Sequence, residues 1–186
     1  MKVSLVAERY ANALFELAVE KNAAGEIYKD ALVVSEICRK SRELRMFFKA
    51  PVVQTDLKVK VVKELFGKAV GPVMLTFLLV MVRKKREKFI PEIAVTVIEN
   101  YKEYKNILTV HFKAPVLPDT DIRKKVLELM TNYTKANIDL VEEIDNSLIG
   151  GFVLNWKDLQ YDASIRKQIE QLKRGVAKVN LYVKDF

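Results

Sequence analysis

The sequence has few of the residues that build disulfides, metal sites and reactive centres. Its 186 residues include one cysteine, Cys38, and one histidine, His111. A single cysteine excludes an internal disulfide framework and a multi-cysteine zinc site. A single histidine argues against a histidine-based metal cluster and against a Ser-His-Asp relay. We therefore expect no metal, no cofactor and no catalytic residue in this chain.

Long apolar runs are also missing. The most apolar stretch, Val73–Val82, has Thr76 as its one polar residue and is far shorter than the roughly 20 residues of a membrane span. Near its start, the chain reaches Glu8 and Arg9 before an apolar run of signal-peptide length can form. We interpret Val73–Val82 as a buried helix and expect a cytoplasmic chain, one able to attach to a membrane-bound assembly.

Glycine and proline are scarce, with 6 and 5 residues, which favours long helices over many short strands and turns. The first 106 residues predict six helices, with Thr55 capping the fourth and Gly71-Pro72 opening the fifth. From residue 107 the apolar residues alternate, which indicates a strand. A helix over 120–135, strands over 137–144 and 148–156, and a last helix over 163–174 follow. The predicted fold is an α-helical six-helix bundle domain over 1–106 and a small α/β domain over 107–186.

Positive charge is concentrated in the first part of the chain. The net charge is +8, and residues 1–106 carry 20 Lys and Arg against 13 Asp and Glu. The run Arg83–Lys88 contains five cations and one glutamate. Such a run fits a solvated helix end, an acidic protein partner, anionic lipid or nucleic acid. A basic helical nucleic-acid-binding protein is therefore the alternative function, although the run lacks the interleaved aromatics or glycines of a recognised RNA motif.

The first and fifth predicted helices are apolar over more of their circumference than a bundle-surface helix requires. In the first helix, polar residues such as Glu8, Asn12 and Glu16 occupy about a third of the circumference at 100° per residue. Two interpretations remain open. Both helices are central in the bundle, or they leave a groove for an amphipathic helix of a partner.

Several motifs in the second part are explained by structure rather than chemistry. Gly150-Gly151 is not part of a Gly-rich dinucleotide pattern, so we expect a bulge or a close backbone approach. Asp162 precedes the last predicted helix as its N-cap, with Ser164 beside it and Arg166 in reach for pairing. The acidic residues Glu142, Glu143 and Asp145 lack a further ligand cluster and fit a solvated strand edge. No cation site is expected there.

Motifs at both ends of the chain carry a family resemblance. Arg9–Ala18 (RYANALFELA), Leu148–Phe152 (LIGGF) and Tyr161–Arg166 (YDASIR) resemble the δ subunit of F-type ATP synthases, the family of the oligomycin-sensitivity-conferring protein. Phe77-Leu78, Arg86, Ile90–Ile93 and Ile169–Leu172 occur between and after them in the family's order. Two departures are Lys84-Lys85, where the family commonly has Asn-Gly, and Ala163, where many members have Gly.

The resemblance implies a non-catalytic peripheral-stalk (stator) subunit that couples proton-driven rotation to ATP synthesis. It implies that the helical domain binds the α and β subunits of the catalytic head and that the α/β domain binds the b-type stalk. It also implies a peripheral position at the cytoplasmic face of the inner membrane. The residues expected to bind an α-subunit helix are Tyr10, Ala13, Leu14, Leu17, Leu75, Leu78, Leu79 and Val82.

Overall fold

The computed structural model describes residues 4–179, with side chains described up to residue 173. Within this range the chain forms two compact units, the first ending at Tyr104 and the second beginning at Lys105. Each unit has its own cluster of buried apolar residues. The fold is mostly helical, with a four-stranded mixed sheet in the second unit.

The first unit is built from helices. They are α1 (Leu5–Glu20), α2 (Ala24–Lys40), α3 (Arg42–Lys49), α4 (Thr55–Phe66), α5 (Pro72–Arg83) and α6 (Ile90–Tyr104), with a 3₁₀ turn over Glu87–Phe89. Helix α4 begins at Thr55 itself, so Gln54 and not Thr55 occupies its N-cap position. Proline at the first position of α5 suits a helix start, because the missing amide has no helical partner there.

Helix periodicity explains which side chains form the core of the first unit. Helix α1 buries Ala7, Ala11, Leu14 and Ala18, spaced by three or four residues, so that they share one face. Polar contacts between helices complement this packing. Asn100 Nδ2 donates to Asn12 Oδ1 at 2.8 Å, which joins α6 to α1. The small buried alanines leave room for the other helices to approach α1 closely.

A buried ion pair joins α4 to the 3₁₀ turn. Lys58 Nζ donates to Glu87 Oε1 at 2.6 Å, and the two side chains are 4% and 9% exposed. The same ammonium group donates to the carbonyl of Ala50 at 2.7 Å and lies 3.5 Å from the carbonyl of Phe48. Paired and hydrogen-bonded in this way, the lysine is tolerated in a site where an unpaired charge would be costly.

The second unit is an α/β structure. Its elements are β1 (Ile107–Ala114), α7 (Thr120–Thr134), β2 (Asn137–Ile144), β3 (Val153–Trp156), β4 (Leu159–Asp162) and α8 (Ile165–Val179). The strand order is β2-β1-β3-β4. Strands β1 and β2 are parallel and are connected through α7. Strand β3 pairs antiparallel with β1, and β4 pairs antiparallel with β3. Val110 and Phe112 of β1 pack with Val126 and Met130 of α7 in the core.

The prediction of a helical first part and a smaller α/β second part is confirmed, but details of the sheet were wrong. The strand predicted over 148–156 begins only at Val153, and β4 was not predicted. Asn106, at the predicted boundary, follows the division between the two units at Tyr104 and Lys105. Its carbonyl accepts from the amide of Asn137 at 3.0 Å, and its side chain donates to the carbonyl of Lys135 at 3.2 Å.

Candidate helix-binding groove

An open groove of about 480 Å³ lies between α1 and α5. Its lining comes from the C-terminal half of α1 and from the first two and a half turns of α5. The lining residues are Ala13, Leu14, Leu17, Lys21, Pro72, Val73, Thr76, Phe77 and Val80. Most of these side chains are apolar, and several remain partly open to solvent, with Leu17 38% and Val80 41% exposed.

The wide apolar surface of α1 consists of two adjacent apolar faces. One face carries the buried alanines of the core, and the adjacent face directs Ala13 and Leu17 into the groove. Leu14 lies between the faces, because it lines the groove and yet is only 3% exposed. The three α1 positions expected from the sequence to bind a helix, Ala13, Leu14 and Leu17, are therefore brought together. Tyr10 is partly buried against the core and does not line the groove.

The four positions predicted on α5 do not line the groove. Leu78 and Val82 are 2% and 1% exposed and belong to the core. Leu75 and Leu79 are partly buried against that core and are not among the lining residues. The groove side of α5 is formed instead by Val73, Thr76, Phe77 and Val80, spaced by one, three and four residues. Periodicity alone does not distinguish the faces of α5, because this helix is apolar on almost every side.

One signal in the sequence indicates which face of α5 lines the groove. Thr76 is the single polar residue of the apolar run, and a polar residue on such a helix favours the side open to solvent. Its hydroxyl donates to the carbonyl of Pro72 at 2.7 Å, and the side chain is exposed. The same side of the helix carries the apolar lining residues, which are three residues before Thr76 (Val73), one after it (Phe77) and four after it (Val80).

A cationic turn follows α5 directly. We use this name for residues 83–88, in which Arg83, Lys84, Lys85, Arg86 and Lys88 are all exposed. The turn is closed by backbone hydrogen bonds, from the amide of Arg86 to the carbonyl of Met81 at 2.8 Å and from that of Lys85 to Val82 at 3.0 Å. Lys85 adopts a left-handed conformation with φ of 56°. The acidic member of the turn, Glu87, points inward to Lys58.

The double glycine of the second unit marks a close backbone approach, as expected, although it precedes β3 instead of lying in a strand. Gly151 has φ of 79°, and a Cβ there would be 2.3 Å from the carbonyl oxygen of Ala163. A side chain on Gly150 would meet Ile165, whose amide donates to the Gly150 carbonyl at 3.0 Å. The glycines therefore allow the segment before β3 to pack on the start of α8.

Asp162 is not the N-cap of the last helix. It is the final residue of β4, and its Oδ1 accepts from the amide of Ser164 at 2.9 Å. The cap is Ser164, whose hydroxyl accepts from the amide of Lys167 at 3.3 Å. Hydrogen bonds from the hydroxyl and the amide of Ser164 lower the pKa of Asp162. Arg166 is exposed, and no ion pair with Asp162 is found in the described part of the chain.

Other reactive side chains have structural surroundings. Cys38 is 1% exposed, and burial raises the pKa of its thiol to about 11. His111 Nδ1 lies 3.0 Å from Glu143 Oε1, and hydrogen bonds from His111 and Lys113 lower the pKa of Glu143. Among the side chains of residues 4–173, no group of three His, Cys, Asp or Glu is placed to hold a metal ion. No helix in that range is long and apolar enough to cross a membrane.

An open apolar groove between two helices is typical of proteins that bind an amphipathic helix of a partner. Comparison with known proteins identifies the family. The model of the ATP synthase delta (OSCP) subunit family matches residues 6–176, and the chain belongs to that family. It is therefore a non-catalytic subunit of the ATP synthase and a component of its peripheral stalk. No finding supports the nucleic-acid-binding alternative.

Individual relatives agree with this assignment. The chain is 31% identical over 179 residues to the ATP synthase subunit delta of Chloroherpeton thalassium, covering 94% of this chain and 96% of that one. It is 30% identical over 176 residues to that of Carboxydothermus hydrogenoformans, covering 95% and 99%. A chain of the Toxoplasma gondii mitochondrial ATP synthase hexamer shares the fold, with a TM-score of 0.70 at 19% identity, covering 94% of this chain and 98% of that one.

Proposed function

We propose that the first unit acts as a six-helix bundle that holds the catalytic head of the ATP synthase by binding an N-terminal helix of the α subunit between α1 and α5. The groove supports this proposal because its apolar side chains are spaced for helix-into-groove packing and remain partly exposed. The second unit then joins the b-type stalk, so that the head does not turn with the rotor. In this function the subunit lies at the cytoplasmic face of the inner membrane.

Exposed apolar side chains on the second unit support a stalk contact there. On α7, Ile122, Leu129 and Tyr133 are 44%, 58% and 70% exposed and follow helical spacing. On α8, Ile165, Ile169 and Leu172 form a similar stripe. Apolar stripes of this kind suit packing against the long helices of a stalk subunit.

The groove is tested with a peptide of the first 22 or so residues of the α subunit from the same organism, since the helix-in-groove mode needs a few helical turns. The full chain is titrated, and binding is followed by fluorescence anisotropy of the labelled peptide. Leu17→Gln should raise the Kd by at least about tenfold, which is about 1.4 kcal/mol. Ala13→Asp should do the same, because it places a carboxylate in an apolar contact.

Leu32→Gln is the matched control. Leu32 lies on α2 outside the groove and is 42% exposed, close to the 38% of Leu17. Leu32→Gln should leave peptide affinity unchanged. The melting temperatures of Leu17→Gln and Leu32→Gln should both stay near that of the parent chain. Equal affinity of the Leu17 variant and the parent would contradict the proposed site.

The stalk contact is tested by recovery of the complex from detergent-solubilised membranes. A tagged chain should bring down the α and b-type subunits together. Leu129→Glu on α7 should reduce recovery of the b-type subunit and retain the α subunit. Loss of the α subunit alone would mean that the second unit contacts the catalytic head, which would contradict the proposed assignment.

A further inference from the structure

The cationic turn carries more positive charge at the surface than its sequence indicates. Its one acidic residue, Glu87, is 7% exposed, and its carboxylate is bound by the ammonium group of Lys58. Glu87 is therefore not available to neutralise the five exposed cations around it. No ion pair found among the side chains of residues 4–173 involves Arg83, Lys84, Lys85 or Arg86.

The turn also holds these cations in a defined place. The left-handed conformation of Lys85 and the amide of Arg86 bonded to the carbonyl of Met81 close the end of α5. The ion pair of Glu87 with Lys58 fixes the following residues to α4. A cation on such a turn loses less conformational freedom on binding than one on a flexible tail.

Both walls of the groove end in positive charge. On α1 the lining residues Ala13, Leu14 and Leu17 are followed four residues later by Lys21, which itself lines the groove. On α5 the lining ends at Val80, and the amide of Lys84 donates to the Val80 carbonyl at 2.9 Å. Lys84 therefore comes one helical turn after the last apolar lining residue.

We propose that the groove selects an amphipathic helix that carries carboxylates beside its apolar stripe, and that Lys21 and the cationic turn bind those carboxylates. The inference rests on the proposed function, since it defines the chemistry of the helix that the groove accepts. Lys21 lines the groove and Lys84 follows its apolar lining by one helical turn. This arrangement favours a protein helix as the ligand, because an apolar lining has no role in binding a phosphate backbone. Acidic residues on the partner supply specificity and faster association.

The test uses two synthetic amphipathic peptides with the same apolar stripe, one with glutamates beside the stripe and one with glutamines. Binding to the full chain is measured at about 50 mM and about 500 mM NaCl, where screening lengths differ several-fold. The glutamate peptide should bind about tenfold more tightly at low salt, and the difference should shrink at high salt. A variant with Lys21→Gln, Arg83→Gln and Lys84→Gln should lose this preference.

The matched control carries the same change of charge elsewhere. Lys60→Gln, Lys63→Gln and Lys68→Gln remove three exposed cations that do not line the groove. This control should keep the preference for glutamate. Loss of the preference in the control as well would show that only net charge matters and would overturn the proposal.

The outcomes separate this inference from the proposed function. In one outcome, both peptides bind the parent chain with equal affinity and bind the Leu17→Gln variant more weakly. The groove is then a helix-binding site, and the charge selectivity is refuted. If neither peptide binds, both proposals fail. If a single-stranded RNA oligonucleotide binds at about 150 mM salt, a typical physiological value, loses affinity in the groove-side cation variant and displaces the glutamate peptide, the turn is a nucleic-acid contact and the inference is overturned.

Discussion

Replacing Lys58 with methionine should strongly destabilise the first unit. Methionine keeps most of the aliphatic length of lysine but removes the ammonium group that binds Glu87 Oε1 at 2.6 Å and the Ala50 carbonyl at 2.7 Å. The Glu87 side chain is 9% exposed, and its Oε2 atom already lacks a hydrogen-bond partner. The substitution therefore leaves a buried carboxylate and a backbone carbonyl without their donor.

The magnitude follows from the burial of the pair. Removing one partner of a buried ion pair costs about 3–5 kcal/mol, because the remaining charge stays desolvated. Domains are stable by about 5–15 kcal/mol, so the loss is a large part of the total. For a unit of about 100 residues, a loss of 3 kcal/mol lowers the melting temperature by at least about 12 °C.

Glu87→Met added to Lys58→Met should recover much of this loss. Replacing both members of a buried pair by apolar groups is often neutral or stabilising. The double variant should therefore be more stable than Lys58→Met alone, with a coupling energy of about 1.5–3 kcal/mol. Additive losses would mean that the two side chains do not depend on each other.

The two units provide separate signals for the assay. Trp156, the single tryptophan of the chain, lies in β3 of the second unit, so its fluorescence reports unfolding there. Far-UV circular dichroism is dominated by the helices of the first unit. Urea titrations of Lys58→Met should shift the dichroism midpoint and leave the Trp156 midpoint unchanged. A loss of less than about 1 kcal/mol, the value of an exposed pair, would refute the argument from burial.

Three further predictions concern the two units. A fragment of residues 1–104 should fold alone and melt cooperatively by circular dichroism, since it contains a complete core; a non-cooperative trace contradicts this. Gly151→Ala should destabilise the second unit by about 1–3 kcal/mol in Trp156-detected urea titrations, because φ is 79° and the new Cβ meets the Ala163 carbonyl; an unchanged midpoint contradicts the close approach. The pKa values of Glu143 and Asp162 are lowered by hydrogen bonds in the folded state, so their contribution is present above the unfolded values near 4 and is lost as pH falls through the folded ones. Trp156-detected stability should fall on acidification in this window and fall less in Asp162→Asn.

Helix order was predictable because its signals are local. Apolar spacing, Pro72 at a helix start and alternation at Leu108–Phe112 each depend on a few neighbouring residues. Strand β4 was missed because it lies at the sheet edge with Leu159, Gln160 and Tyr161 all exposed, so no buried face imposes alternation on it. It forms through pairing with β3 across a turn in which Lys157 is left-handed, and this pairing is a tertiary effect.

The groove lining includes three of the positions named from the sequence on α1 and none of those named on α5. Ala13, Leu14 and Leu17 were named because polar residues fill only about a third of the circumference of α1 and the family resemblance assigns helix binding to that helix. On α5 the apolar run gives every face the same character, and Leu78 was chosen in place of Phe77. The inward direction of Glu87 was also beyond sequence reasoning, because it depends on Lys58, which lies 29 residues earlier in the chain.

Because Cys38 is buried, the native thiol would compete little with an introduced cysteine in site-directed labelling. This thiol is the only one in the sequence, and with a pKa of about 11 it carries very little thiolate at neutral pH, so it reacts slowly with maleimides and disulfide reagents. A cysteine introduced at Val80 or Lys84 would then be the single reactive position on the folded protein. A photo-crosslinker or a spin label attached there would report directly on whatever enters the groove, with the native cysteine left in place.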